Sequence, residues 1–230
     1  LEVGDAVFGA LATADLYFGT FAEKLPVAAA TVAKRPEGLD ARTAAALALA
    51  GTAAQSAIDA LDLGHGETVL IAGATGGVGA VAVQLAAARG ATVIATATPD
   101  RAAFVRDLGA AEAVDYMGDL AVAVRAVAPD GVDAVLHAAG DPMALVELVR
   151  PGGRIASTLG FGQDALGDSD VTATAIMSIP TAQSLGALAD LVASGKLQVP
   201  IAKTYALDEV GQGLMEFASG KRGKFAVAVR

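Results

Sequence analysis

A glycine-rich turn between an apolar strand and an amphipathic helix constrains the fold of this chain more than any other feature. Residues Thr68 to Ala72 predict a buried β-strand, the turn reads Gly73-Ala-Thr-Gly-Gly-Val-Gly79, and apolar residues recur at helical spacing over 78–89. Such a turn directs free backbone N–H groups and the positive end of the helix dipole at one point, which suits a phosphate group. Gly79 also lets the helix pack on the strand without a Cβ between them.

The segments that follow the turn predict the fold class. Further strands are predicted at 92–96, 113–115, 134–137, 154–158 and 172–177. The helices between them are predicted at 100–108, 120–126, 142–148 and 182–194, with a surface loop at 162–170. Because these strands are too continuously apolar to have one solvated face, they predict a parallel sheet covered on both sides. The expected fold class is therefore α/β, a doubly wound parallel sheet of the Rossmann type.

The two ends of the chain carry a different pattern. Residues 1–36 contain short β-type runs broken by Gly and Pro, among them 20–27, which is typical of hairpins or a small barrel. An Ala-rich helix follows, and Gly51 either ends it or passes it into a second helix at 53–61. Residues 201–230 predict a strand, a helix and a strand.

Composition bounds the partners and the location. The chain has 230 residues, 54% of them hydrophobic, a net charge of -9 and a pI near 4.6. Nucleic acid and anionic lipid repel such a surface, and no uncharged apolar run reaches the roughly 18 residues of a membrane span, so neither nucleic acid nor membrane is an expected partner. The absence of Cys and of a charged-then-apolar leader favours a cytoplasmic enzyme. Because the sequence starts at Leu1 rather than Met, we expect a front part that precedes it.

Two other classes of protein with a glycine-rich turn do not fit these residues. A phosphate loop of the NTPase kind ends in Gly-Lys-Ser/Thr, whereas Gly79 is followed by Ala and Val. Short-chain dehydrogenases need a Tyr with a Lys four residues later, and Tyr17, Tyr116 and Tyr205 have no Lys at that spacing. The turn in its strand-and-helix context therefore predicts a dinucleotide site.

The end of the second strand indicates which nicotinamide cofactor binds. A carboxylate about 20 residues past the first glycine would hold the ribose hydroxyls of NAD, but this strand ends with Thr96-Ala-Thr98. Without that carboxylate a 2′-phosphate is not repelled, and Thr96, Thr98 and the guanidinium of Arg101 can bind it. The sequence therefore favours NADPH. The alternative is that Arg101 is a solvated residue of the helix, neutralised by Asp100.

The chain resembles the medium-chain dehydrogenase/reductase superfamily, specifically its zinc-free quinone oxidoreductase branch. The likeness covers nearly the whole sequence, and its clearest stretches are 3–9, 19–23, 67–79, 83–86 and 108–110. The resemblance implies an incomplete β-rich, GroES-like substrate domain formed by 1–45 and 200–230. It implies a Rossmann dinucleotide-binding domain at 46–199.

The resemblance also implies where a cofactor lies. Tyr116 matches a family tyrosine near the adenosine 2′-phosphate, the segment from Ala138 to Gly140 matches a loop before the nicotinamide, and Leu159 and Gly160 match the loop over it. Together with the residues of the turn and the second strand, the predicted cofactor contacts are Ala74, Thr75, Gly76, Gly77, Val78, Gly79, Thr96, Thr98, Arg101, Tyr116, Ala138, Gly140, Leu159 and Gly160.

Departures from the family pattern bear on metal and catalysis. The zinc-dependent relatives have a Cys at the position of Leu49, whereas this chain has no Cys and two His, too few for the three ligands of a catalytic zinc. We therefore expect no metal. His65 lies in a Gly-rich turn and is expected to be structural. His137 ends the fourth strand, where it either contacts the nicotinamide or substrate or is a core histidine with a satisfied hydrogen bond. No residue is identified as catalytic.

The resemblance implies hydride transfer from NADPH to a small-molecule electron acceptor, a quinone or an α,β-unsaturated carbonyl, without a metal. Two alternatives stay open. One is a truncated or non-catalytic NADP-binding module, which the expected missing front part supports. The other is a zinc-dependent alcohol dehydrogenase, which the absent ligands oppose. By family analogy we expect a homodimer through edge pairing of the strand at 172–177.

Overall fold

The computed structural model describes residues 1–11, 19–219 and 223–229, which form two compact units. Unit 1 comprises Leu1–Thr52 and Ser178–Arg230, and unit 2 comprises Ala53–Met177, so the boundary falls within the first helix. The elements in chain order are β1 (Val7–Gly9), β2 (Val32–Lys34), α1 (Ala41–Leu61), β3 (Thr68–Ala72), α2 (Gly77–Ala88), β4 (Thr92–Thr96), α3 (Ala102–Asp107), β5 (Glu112–Val114), α4 (Leu120–Val127), β6 (Val132–His137), α5 (Pro142–Val146), β7 (Val149–Ser157), α6 (Gln163–Leu166), β8 (Thr172–Ala175), α7 (Ala182–Ala193), β9 (Ile201–Ala206), α8 (Val210–Ala218) and β10 (Lys224–Ala228).

Unit 2 is built on one parallel sheet. Its six strands are hydrogen bonded in the order β5-β4-β3-β6-β7-β8, and every neighbouring pair is parallel. The chain starts in the middle at β3, winds to one edge, and returns through β6 to the other edge. This is the doubly wound Rossmann order, so the predicted fold class is confirmed. The winding direction reverses between β3 and β6, where ligands of such sheets bind outside the carboxyl ends of the strands.

The central strands are buried on both faces, as their continuous apolar sequences predict. Val69, Leu70 and Ile71 in β3 are fully buried, and so are Val135 and Leu136 in β6. Each such side chain contributes about 1.5–3 kcal/mol by leaving water, which is why helices cover both faces of the sheet.

Unit 1 contains two small sheets. β1 and β2 pair antiparallel, and β9 and β10 pair parallel. The predicted strand at 20–27 was wrong: residues 19–28 form no strand, since Pro26 lacks a backbone donor and restricts the residue before it. The part of the predicted hairpin region at 12–18 lies outside the described residues. That unit 1 is of the GroES-like kind stays a prediction from the resemblance.

Helix α1 passes through Gly51 without a break, so the predicted interruption there was wrong. An ideal Cβ on Gly51 would lie 2.8 Å from Leu47 Cδ1 and 3.2 Å from Leu188 Cδ1. Glycine therefore lets α7 approach α1 closely instead of ending the helix. α1 is long and apolar enough to cross a membrane by composition, but most of that stretch is buried inside the protein. It is accordingly a core helix.

Several predicted boundaries moved. β7 begins at Val149, earlier than the predicted 154, and the helix predicted at 100–108 is a 3₁₀ turn, Pro99–Arg101, followed by α3. The loop predicted at 162–170 contains the short helix α6. α7 packs against β2 and groups with unit 1, although it lies within the range 46–199 predicted for the dinucleotide-binding domain.

Candidate functional site

The turn after β3 has a backbone course that needs glycine. Gly73 has a φ of 87°, in the left-handed region, and its carbonyl accepts a hydrogen bond from the Gly76 N–H at 3.0 Å. An ideal Cβ on Gly79 would lie 2.2 Å from the Gly73 oxygen and 2.7 Å from Ala74 Cα. Ala74 and Thr75, two of the predicted cofactor contacts, are buried in this turn. The first turn of α2 therefore lies directly against this turn.

The amide groups at the start of α2 are the groups that could bind an anion. Gly76 is the N-cap residue, and the Ala80 N–H donates to its carbonyl at 2.9 Å. The N–H groups of Gly77, Val78 and Gly79 precede that first intrahelical hydrogen bond, and no acidic side chain stands in the first turn. A bare turn at a helix N-terminus, located where the sheet reverses, fits the pyrophosphate of a dinucleotide.

Thr96 has a different contact from the one predicted for it. Its side chain is 4% exposed, and its hydroxyl accepts a hydrogen bond from the Gly73 N–H at 2.9 Å and donates to the Ile71 carbonyl at 3.4 Å. The hydroxyl at the end of β4 thus holds the glycine turn of β3 in place. The structure gives it this role instead of the predicted contact with a 2′-phosphate.

The predicted 2′-phosphate group lies at the carboxyl ends of β4 and β5. The Thr98 hydroxyl donates to Asp100 Oδ1 at 2.6 Å, and Arg101 Nε lies 3.8 Å from Asp100 Oδ2. Tyr116 follows β5, the strand next to β4, and is 47% exposed. The structure therefore brings a hydroxyl, a guanidinium and a phenol to one edge of the sheet. It also places a carboxylate between the first two.

The two predicted nicotinamide loops lie on the other side of the reversal point. The first follows β6, and the Ala138 N–H donates to the Ala72 carbonyl at 3.1 Å. An ideal Cβ on Gly73 would lie 3.0 Å from Ala139 Cβ, so this loop and the glycine turn are in contact. The second loop follows β7 and exposes Leu159 and Gly160. The predicted contacts thus lie either in the glycine turn and the start of α2 or in the loops at the carboxyl ends of the strands. The Thr96 hydroxyl is the exception, because it is buried against the turn.

A hydrogen-bonded pair connects these loops, and sequence reasoning missed its serine, Ser157. His137 Nδ1 lies 2.9 Å from Ser157 Oγ, and His137 Nε2 lies 3.1 Å from the Gly140 carbonyl. Ser157 Oγ also accepts hydrogen bonds from the Leu159 N–H at 3.1 Å and the Phe161 N–H at 3.2 Å. His137 is therefore a core histidine with satisfied hydrogen bonds. Ser157 could have been found only by assuming that β6 and β7 are neighbours whose last residues are paired.

The described ranges, 1–11, 19–219 and 223–229, contain no group of three His, Cys, Asp or Glu side chains that could hold a metal ion. Leu49, at the position of a zinc ligand in relatives, lies in α1. His65 lies before β3, at the opposite edge of the sheet from the glycine turn, and an ideal Cβ on Gly90 would meet its ring at 2.5 Å. The His65 ring thus packs against the Gly90 backbone, away from the glycine turn, as expected of a residue with a structural role.

Known proteins resemble the chain over most of its length. Residues 108–227 match the family model described as zinc-binding dehydrogenase. The chain is 33% identical to the chloroplast envelope quinone oxidoreductase homolog of Arabidopsis thaliana, over 84% of this chain and 61% of the relative. It is 31% identical to the chloroplastic NADPH-dependent alkenal/one oxidoreductase of the same plant, over 70% of this chain and 42% of the relative. The chain thus spans about three fifths or less of these relatives.

Solved structures agree. The quinone oxidoreductase from Coxiella burnetii superposes with a TM-score of 0.78 at 29% identity, over 87% of this chain and 64% of that chain. An alcohol dehydrogenase superfamily protein from Novosphingobium aromaticivorans superposes with a TM-score of 0.87 at 31% identity, over 100% of this chain and 76% of that chain. The family model covers more than half of the sequence, and the fold and turn are those of nicotinamide-dependent enzymes. The chain therefore belongs to the zinc-binding dehydrogenase family of the medium-chain dehydrogenase/reductase superfamily of oxidoreductases.

Proposed function

We propose that this chain is the larger part of an NADPH-dependent oxidoreductase that transfers hydride to a quinone or an α,β-unsaturated carbonyl without a metal. The observation that carries the proposal is the bare glycine turn at the reversal point of the sheet, beside a strand that ends without a carboxylate. The relatives named as quinone and alkenal/one oxidoreductases support the acceptor class. The absence of Cys from the sequence supports chemistry without zinc.

In this proposal each part of the carboxyl edge binds one part of the dinucleotide. The N–H groups of Gly77, Val78 and Gly79 hold the pyrophosphate, and Thr96 keeps the turn in shape. Thr98 and Arg101, with Tyr116 nearby, receive the adenosine 2′-phosphate. The loops after β6 and β7 lie along the nicotinamide and restrict the access of water.

The chemistry requires little from the side chains. When bound, NADPH supplies the hydride that reduces the acceptor, and a proton from water completes the reduction. The chain orients the ring and excludes solvent from it, so its contribution is mainly positional. No side chain of the described residues is assigned as a proton donor.

A turnover assay tests the proposal. We expect the protein to oxidise NADPH in the presence of a panel of quinones and α,β-unsaturated ketones, and to keep that activity after treatment with EDTA and phenanthroline. Binding of NADPH without turnover of any acceptor would favour the non-catalytic or truncated module. Loss of activity with the chelators would contradict the metal-free mechanism.

Cofactor preference gives a second test. Arg101→Ala should raise the Kd for NADPH about 10-fold, because one charge-assisted hydrogen bond to the 2′-phosphate is lost, and should leave NADH binding within about 2-fold. Asp100→Asn should have the opposite effect on NADPH, because it removes the carboxylate next to Thr98 and Arg101. Fluorescence titration measures both constants. An equal loss of NADH and NADPH binding in Arg101→Ala would contradict the assignment.

We also propose a homodimer in the cytoplasm. β8 is the last strand of its sheet, so one row of its backbone groups is available to a second copy, and Met177 just after it is 91% exposed. The negative charge and the lack of cysteine support a cytoplasmic location, although one relative is named for the chloroplast envelope.

A further inference from the structure

We propose that His137 and Ser157 are positioning residues that fix the two loops beside the nicotinamide relative to each other. The proposal rests on the proposed function. His137 ends β6, Ser157 ends β7, and the sheet register pairs them directly. They are 2% and 0% exposed. Buried to this degree, they act through the loops that they hold.

The hydrogen bonds assign a proton to each atom of the pair. A serine hydroxyl has one donor and two lone pairs. The lone pairs of Ser157 Oγ accept the N–H groups of Leu159 and Phe161, so its proton is donated to His137 Nδ1. Neutral imidazole then carries its proton on Nε2, which donates to the Gly140 carbonyl. Every donor and acceptor of the pair is thus used, and this one chain of hydrogen bonds reaches both loops.

The loops themselves contain little that would hold them. Gly140 and Gly160 have φ values of 90° and 83°, and an ideal Cβ on either would meet no atom within 4 Å. The Phe161 ring packs edge-on against the His137 ring with centroids 6.4 Å apart. The buried pair therefore adds side-chain links between these two glycine-containing segments to the hydrogen bonds that the Thr158 N–H and hydroxyl donate to the His137 carbonyl.

Loss of this link should separate two properties. The pyrophosphate and adenosine groups are held by the glycine turn, α2 and the ends of β4 and β5, which do not depend on Ser157. The nicotinamide ring would lie along the loops that do. Removing the serine hydroxyl should therefore impair hydride transfer and leave the binding of the adenosine half unchanged.

The test compares Ser157→Ala with wild type and with the control Ser194→Ala, which removes an exposed serine hydroxyl at the end of α7 that donates to the Asp190 and Leu191 carbonyls. In Ser157→Ala we expect kcat to fall about 10- to 100-fold, as for a displacement of the reacting groups. The Kd for 2′,5′-ADP, which lacks a nicotinamide, should stay within about 2-fold. Ser194→Ala should match wild type in both. An unchanged kcat in Ser157→Ala, or a parallel loss of 2′,5′-ADP binding, would overturn the proposal.

Hydrogen exchange gives a readout that needs no activity. In Ser157→Ala the amides of Leu159 and Phe161 lose their acceptor, so a peptide over 158–162 should exchange about 10-fold faster. Unchanged exchange overturns the proposed link between the loops.

If Ser157→Ala does not fold, His137→Gln and His137→Leu replace it. The His137→Gln side chain retains a donor for the Gly140 carbonyl, so the amides of residues 138–141 should exchange more slowly in that variant than in His137→Leu. Equal exchange in the two variants contradicts the proposal. If the wild-type protein shows no turnover while the variants show these exchange differences, the proposed oxidoreductase function is refuted and the proposed link between the loops stands.

Discussion

Gly79→Ala is expected to raise the Kd for NADPH about 100-fold or more. The new Cβ would lie 2.2 Å from the Gly73 oxygen and 2.7 Å from both the Gly73 carbonyl carbon and Ala74 Cα. These are backbone atoms, so no side-chain rotation relieves the overlap, and the turn must move away from α2. The amides that we propose bind the pyrophosphate would then no longer converge on one point. Strain of this kind also costs about 1–3 kcal/mol of stability.

Two other glycines allow a graded comparison, with Gly186 as the control and Gly76 as the intermediate case. Gly186 lies inside α7, and an ideal Cβ there meets nothing within 4 Å, so Gly186→Ala should keep NADPH binding and gain up to about 1 kcal/mol of helix stability. Gly76→Ala places its Cβ 3.3 Å from the Gly73 oxygen and should give an intermediate loss. Fluorescence titration and thermal melts separate binding from folding. Wild-type affinity in a folded Gly79→Ala protein would show that the turn does not hold the cofactor.

The sequence was sufficient to predict the sheet because each central strand is apolar on both faces. The bounds of β3 and β4 were predicted correctly from residues such as Val69 to Ile71, whose continuous burial has no alternative in a solvated sheet. The glycine turn was also readable, because a strand, a turn and a helix are adjacent along the chain. Local features that carry their own physical constraint were therefore predictable.

What the sequence did not show depends on register and on distant neighbours. The Thr96 hydroxyl was predicted to face a phosphate, but it contacts Gly73, 23 residues away, because β4 pairs with β3. Ser157 had no local signal, since its partner His137 lies on another strand. Gly51 was read as a helix end or as a junction between two helices because helix propensity alone disfavours glycine, whereas the packing of Leu188 explains it. Such roles follow from three-dimensional packing, which periodicity does not encode.

The amino edge of the sheet in unit 2, opposite the glycine turn, carries a two-point ion pair between Arg154 and Glu67. The Arg154 guanidinium binds Glu67 through two hydrogen bonds, at 3.1 and 2.5 Å, and also donates to the carbonyls of Leu61 and Asp62. Both charged side chains are about a quarter exposed. The hydrogen bond from Arg154 lowers the pKa of Glu67 from its ordinary 4.5, and burial opposes that shift. One side chain of β7 thus joins the end of α1 to the start of β3.

Arg154→Met is expected to lower the free energy of unfolding by about 2–4 kcal/mol, because it leaves Glu67 half-buried without its cation and two carbonyls without a donor. A fully buried pair would cost more, and solvent screening at this exposure reduces the effect. For a chain of this size the melting temperature should fall by roughly 5–10 °C. Since the sequence has no Trp, urea unfolding is best followed by far-UV circular dichroism. NADPH affinity, which we propose depends on the other edge of the sheet, should change little.

The pH dependence of the stability difference between wild type and Arg154→Met tests whether the Glu67 carboxylate is responsible for it. Because the pKa of Glu67 is lower in the folded protein than in the unfolded chain, its contribution is present above about pH 4.5 and is lost as the pH falls through the folded-state value. The stability difference between wild type and Arg154→Met should therefore be full at neutral pH and shrink in acid. Arg106→Met is the control, since Arg106 lies 3.9 Å from Glu112 and both are about half exposed, and it should cost less than about 0.5 kcal/mol. Equal losses in the two variants would show that the Glu67 contact is worth no more than a surface ion pair.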